Sequence, residues 1–111
     1  MDYLPISLTM IDLEKREEVI TLYDTYTGLL TDKQRMYFEE YYFDDMTLQE
    51  IASNHEVSRN AVFDQIKKTI GLCAKYEENL NLVKTKKEIK ECIKSNNIDE
   101  IKKRLIKIIE E

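Results

Sequence analysis

The stretch Thr47–Lys68, with the sequence TLQEIASNHEVSRNAVFDQIKK, is the most informative part of this chain about its fold. Thr47 can cap a short helix, because Glu50 three residues later completes a capping box. Ser58 is the next strong cap, and apolar residues recur at helical spacing on both sides of it. The stretch therefore predicts two helices joined by a few residues, which is the pattern of a helix-turn-helix.

The apolar residues of this stretch are explained by packing. The first helix would bury a face that includes Ile51, and Ala52 is small where two crossing helices must approach closely. Val57 is expected to fill the corner between the helices, and Val62 to point back into the angle that they form. The motif therefore predicts a shape, and it only suggests a function.

The composition favours an all-α fold. Only two glycines and one proline occur in 111 residues, so long helices are favoured over many short strands. Residues 1–9 should form a loose leader within a helix-turn-helix domain of residues 1–78, and residues 79–111 a C-terminal helical hairpin. The predicted helices are Ile11–Tyr26, which Gly28 ends, Asp32–Phe43, Leu48–Asn54, Arg59 to about Glu78, Leu80–Ile93, and a last helix from Ile98 that Asn97 caps.

The sequence argues against a membrane protein, a metal protein and an enzyme. Seven charged residues among the first 20 leave no apolar run for a signal peptide, and no later segment approaches a membrane-spanning length, so we expect a cytoplasmic protein. Cys73 and Cys92 lack zinc-ligand spacing, and His55, the only histidine, falls in the predicted turn. Gly28 and Gly71 are isolated, so no phosphate-binding loop is present. We predict no catalytic residue, no cofactor and no metal.

Charge is divided unevenly along the chain. Residues 1–83 carry 8 Lys and Arg against 16 Asp and Glu, a net charge of −8, whereas residues 84–111 carry 9 against 6, a net charge of +3. Nucleic acids are polyanions, so an acidic helix-turn-helix domain is an objection to strong nonspecific binding. Any affinity for nucleic acid should be modest and sensitive to salt.

The second helix of the motif would present polar side chains to a major groove. Arg59 could bond guanine or phosphate, Asn60 could pair with adenine, and Phe63 could contact a thymine methyl group or stack on a base. In the alternative, the charged side chains form ion pairs with Asp64 along a solvated helix face, and Phe63 packs on another helix. The candidate nucleic-acid-binding residues are Ser58, Arg59, Asn60, Phe63, Lys67 and Lys68.

The last two helices carry many lysines and an apolar stripe. The lysines could bind phosphates, but they are interleaved with Glu and Asp, which is the common pattern of an exposed soluble helix. The stripe must be buried, either against the first helix or against a second copy, so a homodimer through the C-terminal helices is one expectation. Its members in the last helix are Ile98, Ile101, Leu105 and Ile108.

Five tyrosines stand at helical spacing in the first two helices. Single-stranded nucleic-acid binders use such side chains to stack on bases. No basic residues are interleaved with these tyrosines, so core packing with the hydroxyl groups at the rim is predicted instead. They are Tyr23, Tyr26, Tyr37, Tyr41 and Tyr42.

The segments LLTDKQRMYFEEYYFDDMTLQEIA and VSRNAVFDQIKK resemble the YlxM family of small bacterial proteins and region 4 of sigma factors. The resemblance covers roughly Leu13–Leu82 and is closest over Leu30–Lys68. It implies a sigma-region-4-like helix-turn-helix that binds DNA as a regulator. It also implies a tie to the signal recognition particle pathway, because the family's genes lie beside those for the particle's GTPases. The outward residues of the recognition helix would be Arg59, Asn60, Phe63 and Lys67.

The turn departs from the family pattern, because Glu56 replaces the usual glycine. A left-handed residue other than glycine costs about 1 kcal/mol, and Asn54 or His55 is the alternative for that conformation.

Two further functions are consistent with the residues. One is binding of the structured RNA of the signal recognition particle by shape and phosphate contacts. The other is an adaptor whose acidic surface or tail docks the particle's GTPase or RNA polymerase.

Overall fold

The computed structural model describes residues 13–110, which form six α-helices and no strand. The predicted all-α fold is confirmed. The predicted leader and the predicted helix start at Ile11 lie outside the described residues. A 3-10 turn, Thr27–Leu29, follows the first helix. The helices are α1, Leu13–Tyr26; α2, Asp32–Tyr42; α3, Leu48–His55; α4, Arg59–Leu80; α5, Leu82–Ile93; and α6, Ile98–Glu110.

The described chain divides into two compact units, of which the first ends at Asn79 and the second begins at Leu80. The first unit holds α1, α2, α3 and nearly all of α4. The second unit holds α5 and α6, which contact each other across the link between Ile93 and Ile98. Leu80, which the sequence places in the fifth helix, is instead the last residue of α4.

Aromatic rings fill the interior of the first unit. The ring of Tyr23 on α1 stacks on that of Phe38 on α2 at 4.0 Å between centroids, and Phe38 stacks on Tyr42 at 4.5 Å. Tyr26 and Tyr37 are also buried, whereas Tyr41 is half-buried. The prediction of core packing is therefore confirmed, but the prediction that the hydroxyl groups lie at the rim is wrong for Tyr26, whose hydroxyl group contacts the buried Glu77.

One polar contact crosses this interior. The Tyr26 hydroxyl donates to Glu77 Oε1 at 2.5 Å, and the Glu77 side chain has no exposed surface. A buried carboxylate needs hydrogen-bond donors, because it has lost its hydration. The contact joins α1 to α4, and so it helps to orient the long helix that carries the candidate site.

Capping boxes begin both α2 and α3, and the box that the sequence predicts at Thr47 is confirmed. At the start of α2, Thr31 Oγ1 accepts from the Gln34 N–H at 3.2 Å, and the Gln34 side chain accepts from the Thr31 N–H at 2.9 Å. At the start of α3, Thr47 and Glu50 make the same pair of bonds at 3.1 and 2.8 Å. Gly28 follows the end of α1 as predicted, but its φ is not positive, so it does not serve as a left-handed cap.

Candidate nucleic-acid interface

The turn between α3 and α4 is closed by Glu56 in the left-handed conformation, with φ 55° and ψ 45°. The Glu56 N–H reaches the Ser53 carbonyl at 3.4 Å, and the Val57 N–H donates to the Ala52 carbonyl at 3.0 Å. This pair of bonds is the Schellman arrangement, which satisfies carbonyl groups at a helix end. Glu56 therefore adopts the glycine-like conformation itself, and the alternative of Asn54 or His55 is wrong, because both lie within α3 or at its last position.

Val57 and His55 flank this turn in different ways. Val57 is 40% exposed, so the prediction that it fills the corner between the helices is wrong. The hydrogen bond of its backbone holds it at the helix end. His55 Nε2 lies 2.9 Å from Glu40 Oε1, and its ring meets the Tyr37 ring edge-on at 5.1 Å between centroids. His55 thus ties the end of α3 to α2 and has a structural role.

The start of α4 is capped as the sequence predicts. Ser58 Oγ accepts from the Ala61 N–H at 3.0 Å. Val62 and Ile66 follow on the inner side of the helix, where each has 0% exposed surface. On α3, Ile51 and Ala52 are also buried, with 0% and 1% exposed. These side chains set the two helices of the motif against the core, and the other side of α4 is left facing outward.

The structure places the candidate residues on that outward side. Arg59, Asn60, Lys67 and Lys68 are exposed, and Phe63 is half-buried. At 3.6 residues per turn, the three positions Asn60, Phe63 and Lys67 share one face of α4. Arg59 projects from the first turn, whereas Lys68 lies about 100° around the helix from Lys67. Ser58 is exposed too, but its hydroxyl group is engaged in the cap.

The exposed charges of α4 are not neutralised by one another. Within residues 13–110, Arg59, Asp64 and Lys68 make no ion pair. The structure therefore does not contain the ion pairs along α4 that the alternative prediction requires. Half of the Lys and Arg in residues 1–83, 4 of 8, lie on this one helix. Three of them, Arg59, Lys67 and Lys68, are candidate residues, and Asp64 lies among them.

Other chemistry has little support among the described residues. Cys73 and Cys92 are buried free thiols, and burial raises the pKa of the Cys73 thiol to about 11. That thiol therefore stays protonated at neutral pH and is a poor nucleophile. Within the described part of the chain, no three side chains are placed to hold a metal ion. None of the described helices is long and apolar enough to span a bilayer.

The sequence predicts these α4 residues, but it leaves one positioning residue undecided and does not indicate another. Glu56 takes the left-handed conformation, and the sequence alone does not show whether Glu56, Asn54 or His55 adopts it. Glu77 is fully buried, although a glutamate is normally exposed. Its place in the helical register beside Cys73 was the only available signal.

Comparison with known proteins agrees with this geometry. Residues 13–111 match the model of the family described as "Putative helix-turn-helix protein, YlxM / p13 like". The chain is 50% identical over 82 residues to a UPF0122 protein of Bacillus pumilus, which is 74% of each chain. It is 48% identical over 81 residues to the UPF0122 protein YlxM of Bacillus subtilis, covering 73% of this chain and 74% of that protein.

A UPF0122 protein of Fusobacterium nucleatum is 38% identical over 98 residues, which cover 88% of this chain and 95% of that protein. This match extends beyond the first unit, because 98 residues exceed its length. The family model likewise includes α5 and α6. The family is described by its helix-turn-helix and not by an enzymatic activity. The chain therefore belongs to the YlxM/p13-like family of helix-turn-helix proteins.

Proposed function

We propose that this chain is a noncatalytic regulatory protein of the cytoplasm that binds duplex DNA through the outward side of α4. One observation carries the proposal. Arg59, Asn60 and Lys67 project into solvent from a helix whose opposite side is sealed by side chains with 0% exposure, namely Val62 and Ile66. A helix held in this way can enter a major groove without unfolding the unit.

The candidate residues would make two kinds of contact with DNA, to base edges and to phosphates. Arg59 and Asn60 have the donors and acceptors that read guanine and adenine edges, and the half-buried Phe63 would meet a thymine methyl group. Lys67 and Lys68 would contact phosphates, which position the protein without reading sequence. Ser58 would support the site by holding the first turn of α4, and its exposed hydroxyl edge would lie near the backbone of the DNA.

The test is a titration of the purified protein with duplexes selected from a random pool, at two salt concentrations. We expect Arg59→Ala to weaken binding of the preferred sequence by about 1–3 kcal/mol. Lys68→Ala should weaken binding to all sequences similarly. It should also lower the slope of the logarithm of the binding constant against the logarithm of the salt concentration by about 1 in magnitude. Lys15→Ala, which removes one exposed positive charge from α1, is the matched control. Equal binding by the wild type and both α4 variants would contradict the proposal.

A second candidate function is an adaptor of the signal recognition particle pathway. The net charge of −8 over residues 1–83 disfavours strong binding to any polyanion, and so it favours the form of this function in which the partner is a protein. In one form, the α4 side and the lysines of α5 and α6 bind the particle's structured RNA. In the other, a protein component of the particle docks on the acidic surface. The same titration, made with that RNA and with the particle's GTPase, shows whether the protein binds the RNA, the GTPase or duplex DNA.

The proposal has two architectural parts. The first is that residues 1–78 are a sigma-region-4-like domain and residues 79–111 a separate hairpin; the division of the contacts after Asn79 supports it. The second is a homodimer through α5 and α6. It is supported by the exposure of Ile98 and Ile109, at 67% and 81%. A dimer would place two copies of α4 on one nucleic acid and so raise the affinity of a weakly basic site.

A further inference from the structure

The second unit exposes an apolar surface that its own two helices do not cover. Among its described residues only Cys92 is buried. Ile93 on α5 is 74% exposed, and Ile98 and Ile109 on α6 are 67% and 81% exposed. Large apolar side chains gathered in this way on a short hairpin mark an interaction surface, because soluble proteins rarely leave such patches in water.

The apolar stripe of α6 is wider than one neighbouring helix requires. At 3.6 residues per turn its six Ile and Leu side chains span about 160° of the circumference. Ile101 and Ile108 on one edge are half-buried, and Ile108 lines the same cavity as Cys92 of α5. Ile98, Ile106 and Ile109 toward the other edge are exposed. A stripe of this width fits a helix with two helical neighbours, and the hairpin supplies one.

The exposed strips of the two helices lie on the same side of the hairpin. Ile93 follows the buried Cys92 by one residue, and Ile109 follows Ile108 by one. Each strip is therefore rotated by about 100° from the packed side, in the same sense. In two helices that run antiparallel and share a contact, the same sense of rotation turns both strips to one side. We name the set the apolar face: Ile89, Ile93, Ile98, Leu105, Ile106 and Ile109.

Charges of opposite sign border the two halves of the apolar face. The helical register puts Lys86 and Lys90 along the outer edge of the α5 strip, and Asp99 and Glu110, with Lys103 beside them, along the outer edge of the α6 strip. All five are exposed, and none makes an ion pair with a described residue. Lys102 lies within the α6 strip, where its long side chain can carry the ammonium group past the face into solvent.

We propose that the apolar face binds the apolar face of a second copy, forming a four-helix bundle in which α5 of each copy packs on α6 of the other. This pairing sets Lys86 and Lys90 beside Asp99 and Glu110 of the second copy. The other two-fold arrangement, α5 on α5, would oppose lysines to lysines, and like charges across an interface disfavour it. The inference rests on the proposed homodimer and specifies its surface, and it is independent of nucleic-acid binding.

The first test is sedimentation equilibrium of the full chain without nucleic acid. The wild type should reach twice the 13.3 kDa mass of one chain as its concentration rises. Ile93→Ser and Ile109→Ser should each raise the dissociation constant at least about tenfold. Both side chains are exposed in the single chain, so circular dichroism at low concentration should show unchanged helicity. Leu29→Ser is the matched control, because Leu29 is 55% exposed but lies in the first unit.

Two outcomes of this test overturn the proposal. One is a monomer at every concentration, including a monomer that binds anionic lipid vesicles instead. The other is a wild-type dimer that neither isoleucine variant weakens, which would keep the homodimer but place it on another surface. Neither outcome depends on whether α4 binds DNA, so the two proposals fail separately.

A charge exchange tests the pairing of the helices. Lys86→Glu with Lys90→Glu makes both edges acidic, and Asp99→Lys with Glu110→Lys makes both edges basic. Each double variant alone should dimerise more weakly than the wild type, whereas an equal mixture of the two should form a heterodimer, detected by native mass spectrometry. A mixture that forms no heterodimer, or double variants that each dimerise as tightly as the wild type, would rule out the α5-on-α6 pairing.

Discussion

The two units of this chain contain similar amphipathic helices but bury them to very different degrees. Among the described residues, 16 apolar side chains are buried in the first unit and one, that of Cys92, in the second. In the first unit, four helices close around shared aromatic rings. Within the second, α5 packs on α6 alone, because the described residues of the unit form no third helix. An amphipathic pattern thus predicts a helix and its apolar side, whereas a core also requires enough neighbouring helices to cover that side.

The largest expected effect that tests this contrast is Ile66→Ala. Ile66 has 0% exposed surface, so the free energy of unfolding should fall by about 2–5 kcal/mol. Ile98→Ala, at a protein concentration where the chain is monomeric, should change it by less than about 0.5 kcal/mol. All seven tyrosines precede the second unit, so urea unfolding followed by tyrosine fluorescence reports the first unit, and circular dichroism reports both. Equal losses for the two variants would contradict the contrast.

The next effect concerns the buried polar contact of the first unit. Tyr26→Phe removes the hydroxyl that donates to Glu77 and should destabilise the chain by about 1–3 kcal/mol, measured by urea unfolding with circular dichroism. The comparison in the second unit is Arg104→Ala, which removes the exposed ion pair with Glu100 at 2.9 Å. An exposed pair of this kind contributes about 0.5 kcal/mol or less. Equal losses of unfolding free energy in the two variants would show that burial does not strengthen the contact between Tyr26 and Glu77.

Helix caps should give a smaller effect. Thr47→Ala breaks the capping box of α3 and should cost about 1 kcal/mol, measured by thermal unfolding of the tyrosine signal. Asn97→Ala removes the side chain that accepts from the Glu100 N–H at 3.1 Å at the start of α6. We expect that variant to lose helicity in circular dichroism without moving the tyrosine transition. A shift of that transition by Asn97→Ala would show that the two units unfold together.

The smallest expected effect is a stabilisation. The left-handed backbone conformation strains a glutamate but not a glycine. Glu56→Gly should therefore raise the free energy of unfolding by roughly 0.5–1 kcal/mol. Asn81, at φ 53° before α5, also has this conformation, but asparagine tolerates it better. Asn81→Gly should therefore change stability by only a few tenths of a kcal/mol. Destabilisation by Glu56→Gly in chemical denaturation would show that the Glu56 side chain makes a contribution of its own.

The elements that could be predicted are those with local causes. Thr31 and Thr47 bond to N–H groups three residues away, so their caps follow from spacing alone. The burial of Tyr23 and Phe38 follows from helical periodicity. The outward position of Arg59 and Lys67 follows in the same way, because it is the complement of the buried Val62 side.

Two features could not be predicted, and they have different causes. The burial of Glu77 depends on the Tyr26 hydroxyl, which lies 51 residues away in sequence and donates a hydrogen bond to the carboxyl group. Local spacing does not show this contact, because it depends on how α1 packs against α4. Val57 is predicted to fill a corner, but the backbone hydrogen bonds of the Schellman turn set its position and leave it 40% exposed.

Local patterns along the chain predict six helical segments, their caps, the helix-turn-helix and the polar side of its second helix, since hydrogen bonds and apolar periodicity act over three or four residues. The three-dimensional structure sets what these patterns leave open, namely the left-handed turn at Glu56, the burial of Glu77, and the apolar side of the C-terminal hairpin that its own two helices leave exposed. The reason is physical: a residue's propensities are local, whereas its burial is set by which other helices reach it.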